Sequence, residues 1–325
     1  MTTSTNGLGI PAQVSIREVG PRDGLQIEAP LATSAKRELI TALVATGVRR
    51  IEATAFVSPR AVPAMADAAE VAAFLGEVEG ADRVEWSALV PNPTGARRAV
   101  AAGITTLEYV VSAAEGHSQA NARRSTEVAL EAVAEVADVV HEAGGRLEVI
   151  VATAWDCPFD GPTPADRTVG LVARAVELGA DQLCLGDTIG TTSPARVASL
   201  VAAVREACPG VPLGAHFHNS RGQGIVSAYA ALQAGVDLLD ASVGGLGGCP
   251  FAPGASGNIA TEELLYLLDD AGVRTGVDLD AVLAAAALAQ RLLAHPLDSN
   301  LLRAGGRSVA RHPQNPTSES RGTDA

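Results

Sequence analysis

The sequence predicts an α/β protein folded as a single (β/α)8 TIM barrel with an additional C-terminal helix. Short apolar runs typical of buried strands alternate eight times with longer runs typical of helices. The connections between these runs are mostly short, and no change in composition marks a linker. These features match the repeat of a closed parallel barrel. An open doubly wound sheet is the weaker alternative, because such sheets seldom use eight consecutive units.

The eight predicted strand and helix pairs follow one another from Val14 to Gly272. The strands are short apolar runs that end in turn residues, and the helices repeat apolar residues at the spacing of one buried face. In order, the pairs cover residues 14–20 with 34–46, 48–54 with 62–75, 83–90 with 93–103, 104–112 with 117–143, 146–154 with 165–179, 181–187 with 194–207, 211–218 with 224–235, and 236–243 with 261–272. The run 279–296 predicts the final helix, outside the eightfold unit.

We expect one structured domain over residues 13–304. Barrels of this length are routinely single domains. Residues 1–12 and the tail 305–325 are polar, and the tail is rich in proline and serine. We therefore expect both ends to be disordered.

The chain is acidic, with a formal net charge of −13 and a pI near 4.9. Such a surface argues against nucleic acid or an anionic membrane as a partner, and favours small-molecule chemistry. No apolar run approaches the roughly 20 residues of a membrane-spanning helix, and the N-terminal segment does not read as a signal peptide. The four cysteines show no CxxC pattern, so we expect free thiols and a cytoplasmic location.

Lys36 is the single lysine of the sequence, and its place in the first turn of a helix predicts that it faces solvent. Carbon–carbon bond chemistry through a Schiff base requires a buried lysine. A metal ion would have to replace the imine if the chain carries out such chemistry.

Polar residues gather after the first predicted strand, where a barrel places its active site. The segment EVGPRDGLQ contains Glu18, Arg22, Asp23 and Gln26. A simple turn at residues 21–24 is the alternative, since Pro and Asp-Gly are turn formers. Glu52 lies inside the apolar second strand, where a carboxylate needs a cationic partner, and we expect that partner to be Arg22.

Two histidines end the seventh strand. His216 and His218 are two residues apart, which directs both imidazoles to the same face of a strand. Two histidines at a barrel mouth favour a metal site over structural histidines. With Asp23 and the amide oxygen of Asn258 the ligands would be nitrogen and oxygen, a set that suits Mg²⁺ or Mn²⁺.

The glycine-rich segment GGLGGCPFAPGASGN follows the eighth strand and carries Cys249. Its spacing matches neither GxGxxG nor a P-loop, which argues against nucleotide binding. Its glycines predict a mobile loop over the barrel mouth. Near a metal, the Cys249 thiol would act as a general acid or base.

Other candidates carry weaker signals. Asp187 ends the sixth strand and is either an orienting residue for a metal ligand or a turn residue; we keep it among the catalytic candidates. His117 is expected at the surface because it lies in a helical segment. Cys157 and Cys184 are expected to be packing residues.

These motifs resemble the hydroxymethylglutaryl-CoA lyases of the DRE-TIM metallolyase superfamily. The matching segments run from EVGPRDGLQ through EATAFVSPRAVPAMAD, LVPN, LGDTIG and HFHN to GGLGGCPFAPGASGNIATEEL. The resemblance implies retro-Claisen cleavage of a 3-hydroxy-3-methylacyl-CoA to acetyl-CoA and acetoacetate by a homodimer. It implies the following roles: metal ligation by Asp23, His216, His218 and Asn258, enolate stabilisation by Arg22, positioning or proton transfer by Glu52, and proton transfer by Cys249.

The chain departs from the pattern of the eukaryotic lyases at positions near the expected substrate pocket. The departing residues are Ala55, Ile150, Cys184, Asn219 and Arg221. These differences leave the acyl group open, so a lyase acting on citramalyl-CoA or a longer 3-hydroxy-3-alkylglutaryl-CoA is an alternative. A condensing acyltransferase of the same superfamily is a second alternative, and a barrel that only binds metal or CoA is a third.

Overall fold

The computed structural model describes residues 9–248 and 257–306. The strands are β1 (Ser15–Glu18), β2 (Arg50–Ala55), β3 (Glu85–Val90), β4 (Thr106–Ser112), β5 (Arg146–Ala152), β6 (Asp156–Cys157), β7 (Gly161–Pro162), β8 (Gln182–Asp187), β9 (Leu213–Phe217) and β10 (Leu238–Ala241). The helices are α1 (Thr33–Ala45), α2 (Ala68–Phe74), α3 (Pro93–Ala101), α4 (Glu115–Ala122), α5 (Thr126–Glu142), α6 (Ala165–Glu177), α7 (Pro194–Ala207), α8 (Gly224–Gln233), α9 (Thr261–Asp270), α10 (Leu279–Leu293) and α11 (Asn300–Ala304).

Eight of the strands close into a parallel barrel in the order β1-β10-β9-β8-β5-β4-β3-β2. The closure is made by β1, which pairs in parallel with both β10 and β2. The remaining strands, β6 and β7, form a small antiparallel hairpin between β5 and α6. The closed sheet confirms the predicted (β/α)8 TIM barrel and rules out the open doubly wound sheet. The predicted C-terminal helix is α10.

The predicted helix over residues 117–143 is divided into α4 and α5. Arg123 ends α4 in a left-handed conformation, with φ 56°. Ser125 then begins α5, because its side chain accepts a hydrogen bond from Val128 N at 3.2 Å. The local capping chemistry of Ser125 therefore starts a new helix within one continuous apolar pattern.

The two faces of the barrel strands differ in chemistry. The faces directed at the helices carry fully buried leucines such as Leu107, Leu147 and Leu183. Some helices are capped by side chains. At the start of α3, the Asn92 side chain accepts a hydrogen bond from Gly95 N. Among the described residues, no helix is both long and apolar enough to cross a bilayer.

The ordered chain begins before residue 13, contrary to the expectation of disorder up to residue 12. Ile10 is fully buried, and the carbonyl of Ala12 accepts a hydrogen bond from Arg274 N at 3.0 Å. Removing the apolar Ile10 side chain from water is favourable, and this burial stabilises the ordered position of the segment. Residues 1–8 and 307–325, also expected to be disordered, lie outside the described part of the chain.

Two side chains that were expected at the surface are buried. Lys36 is 3% exposed and donates to the Ala64 carbonyl and to Asp67, because α1 packs its first turn against the segment that precedes α2. His117 is 4% exposed, and its Nδ1 lies 2.6 Å from the Ser112 hydroxyl at the end of β4. Both surface predictions were wrong, since a pattern of apolar residues does not reveal a polar partner on a neighbouring element.

Candidate active site

The segment after β1 is a tight π-helical turn over Gly20–Gly24. The Val19 carbonyl accepts hydrogen bonds from the amides of Arg22 and Gly24, which directs Arg22 and Asp23 into the mouth of the barrel. A Cβ on Gly24 would come within 2.9 Å of Leu246 Cβ, so the turn packs closely against the chain that follows β10. The predicted turn and the predicted site are therefore the same feature.

Arg22 connects two carboxylates from different elements. Its Nε lies 2.5 Å from Glu52 Oε1, and its Nη1 lies 2.7 Å from Asp23 Oδ1. The first contact confirms the expected pairing of Glu52 with Arg22. Burial opposes the charge of the guanidinium, but the Glu52 and Asp23 carboxylates more than offset it, so the Arg22 pKa lies above its usual value. Arg22 is thus a permanent, fixed cation in a buried site.

Glu52 reaches Arg22 from β2, whose pairing with β3 shifts register between Glu52 and Thr54. The side chain is fully buried. Burial raises the Glu52 pKa well above its usual range; the Arg22 charge opposes this rise and the Glu108 carboxylate adds to it. Glu52 therefore keeps its proton up to a higher pH than a carboxyl group in water does.

Asp23, His216 and His218 form one cluster whose possible ligand atoms all lie within 4.8 Å of one another. His216 Nε2 is 3.9 Å from Asp23 Oδ2, too far for a hydrogen bond. Atoms that coordinate one cation at about 2 Å lie about 3 to 4 Å apart, so this separation suits two ligands of one ion.

The two histidines differ in their electrostatics. Burial lowers the His218 pKa to about 4, and the nearby His216 adds to this shift, so His218 is neutral near pH 7. Burial also opposes the charged form of His216, but hydrogen bonding to Asp240 and the charge of Asp23 raise its pKa. A neutral imidazole is the form that binds a metal.

Asn258 is fixed beside His218 by backbone pairing. The two residues form an antiparallel bridge, and Ile259 N donates to the Phe217 carbonyl at 3.1 Å. The Asn258 side chain donates from Nδ2 to Asp23 Oδ2 at 2.7 Å and to the Leu246 carbonyl at 2.9 Å. The structure therefore joins all four of the predicted metal ligands in one cluster.

Two polar atoms of this cluster have no hydrogen-bond partner among the described residues. They are Asn258 Oδ1 and His218 Nδ1, and both are buried. Buried polar atoms almost always have a partner, so an unpartnered atom requires an explanation. The donor set of a carboxylate, two imidazoles and an amide oxygen fits a divalent cation, which these residues would hold.

Gln26 and Asp187 have different surroundings. Gln26 Nε2 donates to Asp23 Oδ1 at 2.8 Å, which places Gln26 at the rim of the cluster. Asp187 accepts hydrogen bonds from the amides of Thr191 and Thr192, so its carboxylate shapes the turn after β8. Burial raises the Asp187 pKa. Cys249 lies outside the described residues.

Glu18 holds the chain after β10 rather than facing the mouth. Its Oε1 accepts hydrogen bonds from the amides of Gly20 and Val243, both at 2.8 Å, and its Oε2 accepts from the Thr261 hydroxyl at 2.6 Å. Burial raises the Glu18 pKa to about 7, although these hydrogen bonds favour the charged form.

The interior of the barrel also contains four buried charged residues that were not among the predicted site residues, namely Arg17, Glu108, Glu148 and Asp240. Asp240 Oδ2 lies 3.1 Å from His216 Nδ1 and also accepts a hydrogen bond from Arg17 Nη2. Each of these residues interrupts an apolar strand run, as Glu52 does. The signal used for Glu52 would therefore have identified all four.

The closed parallel barrel and the Asp-His-His-Asn cluster at its mouth define the class of (β/α)8 enzymes with a divalent-metal site. Residues 13–289 match the family model described as HMGL-like, and the chain belongs to this family of carbon–carbon lyases. The match confirms the resemblance seen in the motifs.

Similar proteins agree with this assignment. The chain is 42% identical to hydroxymethylglutaryl-CoA lyase of Pseudomonas mevalonii over 92% of this chain and 97% of that protein. It is 40% identical to (R)-citramalyl-CoA lyase of Chloroflexus aurantiacus over 90% and 95%. The structure of an HMG-CoA lyase from Acinetobacter baumannii in complex with coenzyme A and 3-methylmalate aligns with a TM-score of 0.88 at 36% identity, covering 95% of this chain and 99% of that one.

Proposed function

We propose that the protein cleaves a 3-hydroxy-3-methylglutaryl-CoA-type thioester to acetyl-CoA and acetoacetate, with Mg²⁺ or Mn²⁺ as cofactor. The observation that carries the proposal is the cluster of Asp23, His216, His218 and Asn258 beside Arg22, in which two buried polar atoms have no hydrogen-bond partner among the described residues. Hydroxymethylglutaryl-CoA lyases among the relatives and a structural neighbour in complex with coenzyme A support an acyl-CoA substrate.

The reaction breaks the bond between C2 and C3 of the acyl group. A base takes the proton of the tertiary hydroxyl, the new carbonyl forms at C3, and the electron pair of the broken bond moves to the thioester as an enolate. A proton delivered to C2 completes acetyl-CoA. A cation bound by Asp23, His216, His218 and Asn258 would polarise the substrate's hydroxyl and carboxylate oxygens.

The residues of the chain supply the remaining needs of this reaction. Arg22 is a fixed buried cation suited to stabilising the enolate, and Glu52 holds its guanidinium in place. Gln26 would contact substrate at the rim, and Asp187 would hold the turn after β8 that borders the site. Cys249 would transfer the proton to or from the substrate.

A specific observation favours a related substrate as a second candidate. Leu89, Val110, Ile150 and Ala152 lie on the interior face of β3, β4 and β5, on the same face as Glu108 and Glu148. Leu89 and Val110 remain partly exposed although they point into the barrel, and so they line its opening. These four aliphatic side chains suit the additional alkyl carbons of a longer 3-hydroxy-3-alkylglutaryl-CoA, which citramalyl-CoA lacks.

A panel of 3-hydroxyacyl-CoA thioesters tests the proposal. Acetyl-CoA release is measured with Mg²⁺ and with Mn²⁺ for hydroxymethylglutaryl-CoA, a longer 3-alkyl analogue and citramalyl-CoA. We expect the highest kcat/KM for one of the first two substrates. Release of free CoA from acetyl-CoA and an oxo acid, with no cleavage of any thioester, would instead indicate a condensing acyltransferase.

We also propose that the protein works as a homodimer in the cytoplasm. The dimer rests on the family resemblance, and sedimentation velocity at micromolar concentration tests it. The compartment is supported by Cys157, Cys184 and Cys208, which are buried free thiols, as expected in a reducing environment.

A further inference from the structure

The interior of the barrel carries a layer of buried charges beneath the proposed metal ligands. Arg17 projects from β1, Glu108 from β4, Glu148 from β5 and Asp240 from β10, and each is at most 3% exposed. Barrel interiors are ordinarily filled by branched aliphatic side chains. Burying charges costs free energy even when they are paired, so a purely structural layer would be cheaper if it were apolar.

Arg17 is the cation at the centre of this layer. Its Nε and Nη2 donate to Asp240 Oδ1 and Oδ2, both at 2.9 Å, which is a bidentate fork. Its Nη2 also donates to Glu148 Oε1 at 2.8 Å, and its Nη1 lies 2.9 Å from Glu108 Oε1. All three guanidinium nitrogens are therefore engaged by carboxylates from three other strands. Such a fork fixes the plane of the Asp240 carboxylate as well as its charge.

Asp240 also contacts His216, a proposed metal ligand. The same Oδ2 that accepts from Arg17 lies 3.1 Å from His216 Nδ1. An ionised carboxylate only accepts hydrogen bonds, so this contact places the proton of a neutral His216 on Nδ1. The lone pair is then on Nε2, the nitrogen that faces Asp23 across 3.9 Å.

We propose that Arg17 is a positioning residue of the metal site: by holding Asp240 in a bidentate fork, it fixes the Nδ1–H tautomer of His216 and directs Nε2 at the cation. The inference rests on the proposed metal-dependent function. Arg17 does not touch the metal ligands itself. A direct partner of a metal-bound histidine, the position that Asp240 has here, typically contributes 10-fold to 100-fold to metal affinity, and Arg17 would act through Asp240.

The alternative role for Arg17 is charge compensation alone. In that case any cation at this position would serve, because three carboxylates surround it. Arg17→Lys separates the two roles, since lysine keeps the charge but cannot form the fork. The substitution also keeps a counter-charge among the carboxylates, so this variant is the one expected to fold even if Arg17→Met does not.

The first measurement is the Mn²⁺ affinity of the full chain by isothermal titration calorimetry. We expect Arg17→Lys to bind Mn²⁺ at least roughly tenfold more weakly than wild type, and Arg17→Met more weakly still. Lys36→Met is the matched control, because Lys36 is a buried cation that lies outside the proposed site and is paired with Asp67 in the helix layer. It should lower stability while leaving the Mn²⁺ affinity within twofold of wild type. Equal affinity in Arg17→Lys and wild type would overturn the proposal.

The second measurement is the His216 tautomer in metal-free protein, read from the ¹⁵N shifts of labelled histidine at a pH where the ring is neutral. Wild type should show Nδ1–H, and Arg17→Lys should show an increased share of Nε2–H. An Nε2–H tautomer in wild type, or an unchanged tautomer in the variant, would contradict the inference.

The two proposals fail in different ways. A wild-type chain that binds Mn²⁺ with the expected dependence on Arg17, but cleaves no thioester, would overturn the proposed reaction and leave the role of Arg17 intact. A wild-type chain that does not bind Mn²⁺ would overturn both.

Discussion

The Arg22 guanidinium contacts both Glu52 and the proposed metal ligand Asp23. A cation next to a metal ligand does not help metal binding, since it competes for the same carboxylate. Its position is explained if it instead faces negative charge that develops on the substrate.

Replacing Arg22 should therefore separate catalysis from metal binding. We expect Arg22→Gln to lower kcat by about 10²-fold to 10³-fold, the usual effect of removing one stabilising donor. The Mn²⁺ affinity should be unchanged or higher, because Asp23 loses a competing cation. Steady-state kinetics with parallel calorimetry check both quantities. A loss of metal affinity as large as the loss of kcat would show that Arg22 only supports the ligands.

Glu18 predicts a specific dependence of stability on pH. In the unfolded chain its carboxyl loses a proton near its ordinary pKa of 4.5, whereas burial holds the folded pKa at about 7. The folded state binds more protons between these values, so the free energy of unfolding falls as pH rises through this window. The expected contribution from Glu18 is roughly 2–3 kcal/mol between pH 5 and 7.5.

Urea unfolding of wild type and Glu18→Gln at pH 5 and pH 7.5 measures this contribution. The variant has no proton to lose at this position, so its stability should change less between the two pH values. Equal pH dependence in the two proteins would show that Glu18 does not titrate in this range.

The sequence pattern identified the site residues whose positions are set by a single strand or by the end of a strand. His216 and His218 share a strand face, and Asp23 follows a strand end, so simple geometry brings them together. Lys36 and His117 were misplaced because their partners, Asp67 and Ser112, are set by packing between elements. The pattern of a single segment contains no information on such partners.

The short segment after the glycine-rich loop pairs with the ends of β9 and β10. Ser242 N donates to the Ile259 carbonyl and Ile259 N donates to the Phe217 carbonyl, so Asn258 is held between the two strand ends. Gly247 packs directly against Asn258. The position of Asn258, a proposed metal ligand, thus depends on backbone fit in this region.

Gly247→Ala should disturb the metal site through this fit. Gly247 has φ 121°, a conformation that side chains rarely adopt, and an added Cβ would collide with Asn258 Nδ2. We expect roughly tenfold weaker Mn²⁺ binding, because Asn258 must move. Gly210→Ala is the matched control: it also has positive φ, 80°, but no atom lies within 4 Å of its added Cβ. The control should lose stability and keep its Mn²⁺ affinity; equal affinities in both variants would contradict the argument.

The pattern of apolar residues located every barrel strand and the helices between them, but not their fine division. The break between α4 and α5 depends on the cap at Ser125, and the reach of Glu52 depends on the register shift in β2. Both features arise from local hydrogen bonding that is compatible with an uninterrupted apolar pattern. Their positions therefore could not be read from periodicity.

Closure of the barrel brings the residues of the proposed site together. Asp23 follows β1, the histidines lie at the end of β9, and Asn258 follows β10, and these three strands are consecutive neighbours in the closed sheet. The sequence separation between Asp23 and Asn258 is irrelevant once β1 pairs with β10. The eightfold repeat favoured this closure over an open doubly wound sheet, because open sheets seldom use eight consecutive units.

Closure also collects the buried charges that the sequence left scattered. Arg17, Glu108, Glu148 and Asp240 are distant in the chain but converge because they lie on the interior faces of four strands. Predicting their contacts requires the shear of the barrel as well as its strand order. That quantity is set by the packing of the whole sheet.

Metal-dependent cleavage is tested most directly by the rate of acetyl-CoA formation from hydroxymethylglutaryl-CoA. The rate is measured in protein stripped of metal with a chelator, before and after Mg²⁺ or Mn²⁺ is returned. We expect no turnover without metal, and restored release of acetyl-CoA in equal amounts with acetoacetate when metal is added. Turnover that continues at the full rate in stripped protein would show that the reaction does not need the proposed metal site.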